Sequence, residues 1–113
     1  MQAGGIVLTE IDDGRDVDLA VGQFAIIDLF ENAGGGYRWT IEQCDTTLLD
    51  LTEVLPRQVP SGPGSPVGSG GRARFEVRAK AAGTSTLILR LWRPWQGETS
   101  ITQRFTLQVR TTP

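Results

Sequence analysis

The amino-acid sequence predicts an all-β sandwich. Three observations carry that reading. Apolar and polar residues alternate with a period of two in several stretches, as a half-buried strand requires. Such stretches recur about every ten to fifteen residues, and none carries a helical period. The segments between them are rich in glycine and proline, which punctuate regular structure and make turns. About seven short strands in roughly 100 residues is the pattern of an immunoglobulin-like β-sandwich. The 113 residues are expected to form one such domain, 1–113, because two cores would each bury too little surface.

The elements follow in order. Gly5–Thr9 (GIVLT) is a short first strand. Asp12–Asp18 is acidic and turn-rich and is expected to connect the first strand to the second. Its four aspartates, Asp12, Asp13, Asp16 and Asp18, fit no calcium loop with a closing Glu, so a solvated turn is expected and no metal. Phe24–Phe30 (FAIIDLF) and Thr86–Trp92 (TLILRLW) are more continuously apolar and read as central strands buried on more of their surface.

Tyr37–Ile41 (YRWTI) places Tyr37, Trp39 and Ile41 on one face, with Trp39 as a core tryptophan. Leu48–Leu55 fits either a strand or one short helical turn. Arg72–Lys80 (RARFEVRAK) turns Ala73, Phe75, Val77 and Ala79 inward. Ile101–Val109 does the same with Ile101, Phe105, Leu107 and Val109, Gln103 being the exception. Cys44 has neutral or acidic neighbours, which favours a small core or edge residue over a reactive thiol.

Composition removes several functions. The chain has no histidine and one cysteine. By itself it cannot build a Ser-His-Asp triad, a Cys-His dyad or a His- or Cys-rich zinc site, and no base–nucleophile pair points to an enzyme. A disulfide scaffold is excluded for the same reason. A net charge of −2 gives no basic field for nucleic acid or an anionic membrane surface. Neither cofactor nor metal is implied. The first residues, MQAGG, show no export signal, which leaves the compartment open.

The glycines are concentrated. Of 14, nine lie in three loops: Gly34–Gly36, the segment Pro56–Gly71, and Gly97 within Arg93–Thr99. Plain turns account for any one of these, since glycine adopts positive φ freely. In a sandwich with strands A to G, however, the B–C, D–E and F–G loops share one end, and these three loops take those places in the count. The last of them carries Trp92-Arg93-Pro94-Trp95. Trp92 continues the strand toward the core, whereas Trp95 lies beyond the proline among polar residues. An exposed tryptophan beside an arginine is the composition of a binding hot spot; the competing reading is a tryptophan folded back as a lid over the sandwich end.

These residues resemble the chagasin-type inhibitors of papain-like cysteine proteases. The first family motif, Asn-Pro-Thr-Thr-Gly-Tyr/Phe followed by Trp, is matched by Asn32-Ala33-Gly34-Gly35-Gly36-Tyr37-Arg38-Trp39 at the Asn, the last Gly, the aromatic and the Trp. The glycine-rich motif is matched by Gly68-Ser69-Gly70-Gly71 with Arg72 and Phe75 following. The third, Arg-Pro-Trp/Phe, is matched in full by Arg93-Pro94-Trp95. The likeness runs from about Gln23 to Val109, in order and spacing.

The resemblance implies a monomeric inhibitor that binds one papain-like protease at 1:1. The first loop would enter the cleft over the catalytic Cys and His, and the other two would grip its walls. Its contact residues would be Asn32, Ala33, Gly34, Gly35, Gly36 and Tyr37, then Gly68, Ser69, Gly70, Gly71 and Arg72, then Arg93, Pro94 and Trp95. Ala33-Gly34-Gly35 stands where the family has Pro-Thr-Thr. Glycines offer only backbone and lose more entropy on ordering, so inhibition is expected to be weaker or differently selective. A non-inhibitory immunoglobulin-like adhesion or assembly module is the alternative; it predicts the sandwich without requiring three loops at one end.

Overall fold

The computed structural model describes residues 6–31, 33–58 and 71–113. Among them are eight strands: β1 (Ile6–Leu8), β2 (Arg15–Ala20), β3 (Phe24–Glu31), β4 (Arg38–Gln43), β5 (Leu49–Gln58), β6 (Gly71–Ala79), β7 (Gly83–Trp92) and β8 (Gln103–Thr112). They form two four-stranded sheets, ordered β1-β3-β6-β5 and β2-β8-β7-β4. The inward faces meet in one apolar layer containing Ile27, Leu29, Trp39, Phe75, Leu87, Leu89, Phe105 and Leu107. This is the predicted sandwich with one strand more than expected.

The additional strand is β2. The sequence predicts a connection over Asp12–Asp18, but only its beginning is one. A short 3-10 turn spans Glu10–Asp12, and the chain then runs parallel to β8 from Arg15↔Leu107 to Ala20↔Thr112. Val17 and Leu19 point inward and are buried, while Asp16 and Asp18 face water. Burying the two aliphatics contributes about 1.5–3 kcal/mol each, which outweighs the modest strand preference against Asp, about 1 kcal/mol at most. Asp18 is also held by Arg110 on the paired strand, at 2.9 Å.

Leu48–Leu55 resolves as strand, since Leu49–Val54 pairs with Arg74–Ala79. β3 and β7 are interior strands as expected, but each is buried mainly on one face. Phe30 is 47% exposed on the outer face of β3. Trp92 likewise faces outward rather than into the core, with the Arg90 guanidinium 3.7 Å from its ring centroid. Ile41 departs from the inward face predicted for it: a register shift follows it on the edge strand β4, and it is 43% exposed. Ala73, Phe75, Val77 and Ala79 are all buried, as their alternation requires. Cys44 is half-buried against the core.

Candidate functional site

Pairing registers place the strand ends that bound the three glycine-bearing segments at one end of the sandwich. β3 arrives there at Glu31, opposite Gly71 at the start of β6. Gln58, at the end of β5, lies opposite Arg72. The end of β5 and the start of β6 are therefore level with the end of β3. In the other sheet Trp39 pairs with Leu91, and Leu91 with Gln103, so the β7–β8 connection emerges at the start of β4. Asn32, Gly68, Ser69 and Gly70 lie outside the described residues.

The first loop crosses from one sheet to the other, so no backbone ladder joins its two stems. Side-chain bonds take over that task. The indole Nε1 of Trp39 donates to the Phe30 carbonyl at 2.7 Å, and the Glu31 carboxylate accepts the Trp39 backbone N–H at 2.9 Å. Glu31 is only 2% exposed. A buried carboxylate is costly unless it is hydrogen-bonded, so its placement at the loop base ties fold to site. Between the stems the chain makes a 3-10 turn at Ala33–Gly35 and then a positive φ of 84° at Gly36. L-residues with a Cβ avoid that region, which accounts for the glycine preceding Tyr37.

The third loop is built around Pro94, whose fixed φ and missing N–H suit the first position of the Pro94–Gln96 3-10 turn. Gly97 then reverses the chain with φ of 77°. A second turn, Glu98–Ser100, returns it to β8. The Ser100 hydroxyl oxygen accepts the Arg93 backbone N–H at 3.0 Å and lies 2.6 Å from the Gly97 carbonyl, closing the loop on itself.

The first and third loops interlock. Arg93 Nε donates to the Gly35 carbonyl at 2.9 Å. Its guanidinium also lies 4.6 Å from the Tyr37 ring centroid, within cation–π range. The rim of the Trp95 indole rests where a Cβ on Gly36 would be, so the glycine permits a contact that any side chain would block. Trp95 nevertheless remains 68% exposed. It is anchored on one edge and open to solvent elsewhere, as the exposed reading expected, rather than folded back as a lid.

Arg72 occupies a different setting. Its Nε donates to Asp28 Oδ1 at 2.8 Å and one terminal nitrogen to the Asp28 carbonyl at 3.0 Å, with Glu10 at 3.4 Å. Hydrogen bonding to Asp28 raises its pKa above the usual arginine value. It lies on the outer face of its sheet beside Phe30.

Glu31, Ser100, Asp28 and Glu10 do not stand out in the sequence. Glu31 left a signal, because it shares parity with Ile27 and Leu29 and so had to point inward. Asp28 and Glu10 left none, since their partners lie 20 to 62 residues away, and Ser100 left none because its bonds to Arg93 and Gly97 depend on how the third loop folds.

This geometry defines a sandwich that presents a glycine wedge, braced by an Arg-Pro-aromatic loop, at one end. The chain belongs to the chagasin family of peptidase inhibitors (I42), whose pattern it matches over residues 18–109. It is 31% identical to chagasin of Trypanosoma cruzi over 106 residues, covering 91% of this chain and 94% of that one. Among solved structures it is similar to the cysteine protease inhibitor EhICP2 from Entamoeba histolytica, with a TM-score of 0.80, 23% identity and 94% of each chain covered. It also shares its fold with PbICP-C, solved in complex with falcipain-2, at a TM-score of 0.61 and 19% identity, covering 99% of this chain and 94% of the other.

Proposed function

We propose that the chain is a reversible inhibitor of papain-family cysteine proteases that blocks the cleft at 1:1 without being cut. The observation that carries this reading is the interlock of Gly35, Gly36 and Tyr37 with Arg93 and Trp95. It supports a preorganised wedge, and preorganisation lowers the entropic cost of binding. That matters here because Ala33-Gly34-Gly35 lacks the proline that would stiffen the free loop.

In the proposed complex Ala33–Tyr37 occupies the cleft over the catalytic groups. A nearly side-chain-free backbone passes close to the nucleophile. Cleavage needs a carbonyl aligned with both the nucleophile and an oxyanion hole, and a wedge held by its own neighbours does not adopt that alignment. Pro94 and Trp95 meet one wall of the cleft. Gly71 and Arg72 lead the second wall contact, which continues into Gly68, Ser69 and Gly70, while Asn32 completes the wedge. Arg93 serves chiefly to brace the wedge, because its Nε and ring-facing surface are already engaged within the chain.

The test is a titration of papain and a cathepsin L-type enzyme with the purified chain, followed by electrophoresis of the mixture after long incubation. Stoichiometric loss of activity with an uncut inhibitor is expected. No inhibition across several such enzymes would transfer the family fold here to a binding module without inhibitory action.

A further inference from the structure

We infer that the 3-10 turn Glu10–Asp12 is a fourth contact point of the protease-binding end, with Ile11 as its apolar contact; this rests on the inhibitor reading above. Ile11 is 91% exposed, the most exposed of the large hydrophobic residues described. A lone exposed aliphatic on a surface needs no explanation. This one is presented by a turn that is braced at each of its residues' flanks. Asp12 accepts the Thr9 N–H at 2.8 Å and pairs with Arg15 at 2.9 Å, and the Asp12 N–H bonds the Thr9 carbonyl at 2.8 Å. Glu10 fixes the turn to the sheet by accepting the Phe30 backbone N–H and approaching Arg72 at 3.4 Å.

Those last two partners locate the turn. Phe30 is one residue short of Glu31, where β3 gives way to the wedge loop, and Arg72 follows Gly71 at the start of β6. Sheet order puts β1, which leads into the turn, at one edge, and β5, which leads into segment 59–70, at the other, with β3 and β6 between. The turn therefore stands on the β1 side of the wedge, and the end of β5 at the opposite edge of the same sheet. Register puts Leu8, two residues before the turn, opposite Ile27, and from the turn the Glu10 carboxylate reaches the Phe30 N–H near the end of β3. Phe30, 47% exposed and bonded through its N–H to Glu10, adds a second exposed apolar side chain beside the turn, among the charged Glu10, Arg15 and Arg72. The occupant that fits is the rim of the protease already seated on the wedge, through an apolar patch on the cleft shoulder on the β1 side of the sheet. Because the contact lies outside the catalytic groove, it would discriminate among proteases that share the same active-site chemistry.

The experiment compares Ile11→Ala and Ile11→Asp with the parent chain against papain and a cathepsin L-type protease, measuring inhibition constants and thermal midpoints, with Trp95→Ala alongside. Ile11 touches little of its own chain, so the midpoints are expected to stay put. Ile11→Asp is expected to raise the inhibition constant at least about tenfold for one of the enzymes, and Ile11→Ala by a smaller factor, with unequal effects on the two. If Trp95→Ala weakens inhibition while both Ile11 variants match the parent on both enzymes, the fourth contact is overturned and the inhibitor reading stands. If the parent inhibits neither enzyme, both fall.

Discussion

The Glu31 carboxylate accepts the backbone N–H of Trp39 across a loop whose stems belong to different sheets. In a hairpin that bond would be redundant, because ladder hydrogen bonds would set the stem spacing. Here the spacing depends on Glu31 together with the Trp39 indole, which reaches back to the Phe30 carbonyl. The first prediction follows. Glu31→Ala leaves a buried N–H without its acceptor and is expected to lower stability by about 1–3 kcal/mol. Glu31→Gln keeps an oxygen acceptor and is expected to recover part of that loss. Denaturant unfolding measures the stability, and the inhibition constant is expected to worsen in the same order. Equal stability in all three proteins would show that the stems are set by something else.

Gly36 and Trp95 form the second relationship open to test. Gly36→Ala forces a Cβ into the left-handed region, at about 1–2 kcal/mol, and drives it against the Trp95 indole. Inhibition is expected to weaken more than stability does, since Trp95 can swing into solvent. Circular dichroism melts and enzyme titrations separate the two effects.

Trp95→Ala is expected to weaken binding by about 2 kcal/mol or more while changing folding stability little. Large exposed aromatics at the centre of an interface carry such energies, and Trp95 is mostly solvent-facing in the free chain. An inhibition constant unchanged in the folded variant would remove it from the contact set.

Arg93→Lys tests the brace. A lysine keeps the charge but has neither the planar face that lies over Tyr37 nor the directed Nε–H that reaches Gly35. The expected outcome is inhibition close to that of Arg93→Ala, with slower association, because the wedge must order itself on binding. If lysine restores the parent value, charge rather than geometry is what matters at this position.

Cys44 supplies a pH prediction. Burial raises its thiol pKa above the ordinary value, and the charges of Asp45 and Asp50 add to that shift. The folded thiol therefore stays protonated at pH values where the unfolded one ionises. Alkylation by iodoacetamide near pH 8 is expected to be slow in the folded protein and to speed up on unfolding. The linkage has one sign: the contribution to stability is intact below the unfolded thiol pKa and falls away as pH rises through the higher folded value.

The sandwich was legible because its signal is local. Burial of one face imposes a period of two, and Ala73 to Ala79 or Phe105 to Val109 display it whatever their neighbours are. β2 was obscured because its outward positions are aspartates, and their turn preference masks Val17 and Leu19 until the parallel pairing with β8 is known. Trp92 departs from its expected core position for a related reason. In an apolar run such as TLILRLW both faces look inward, and only the sheet order shows which one meets the core.

The sequence by itself determined the strand periodicity, the three loop motifs, and the absence of histidine that rules out His-based catalysis within this chain. The tertiary structure alone decided how the loops work together. Arg93 bracing Gly35 and Tyr37, Trp95 resting on Gly36, and Glu31 holding Trp39 are all contacts between different strands or loops. The Arg93–Gly35 contact spans 58 residues of sequence. Residue type sets what each side chain can bond, but which partner lies within reach is fixed by sheet order and register.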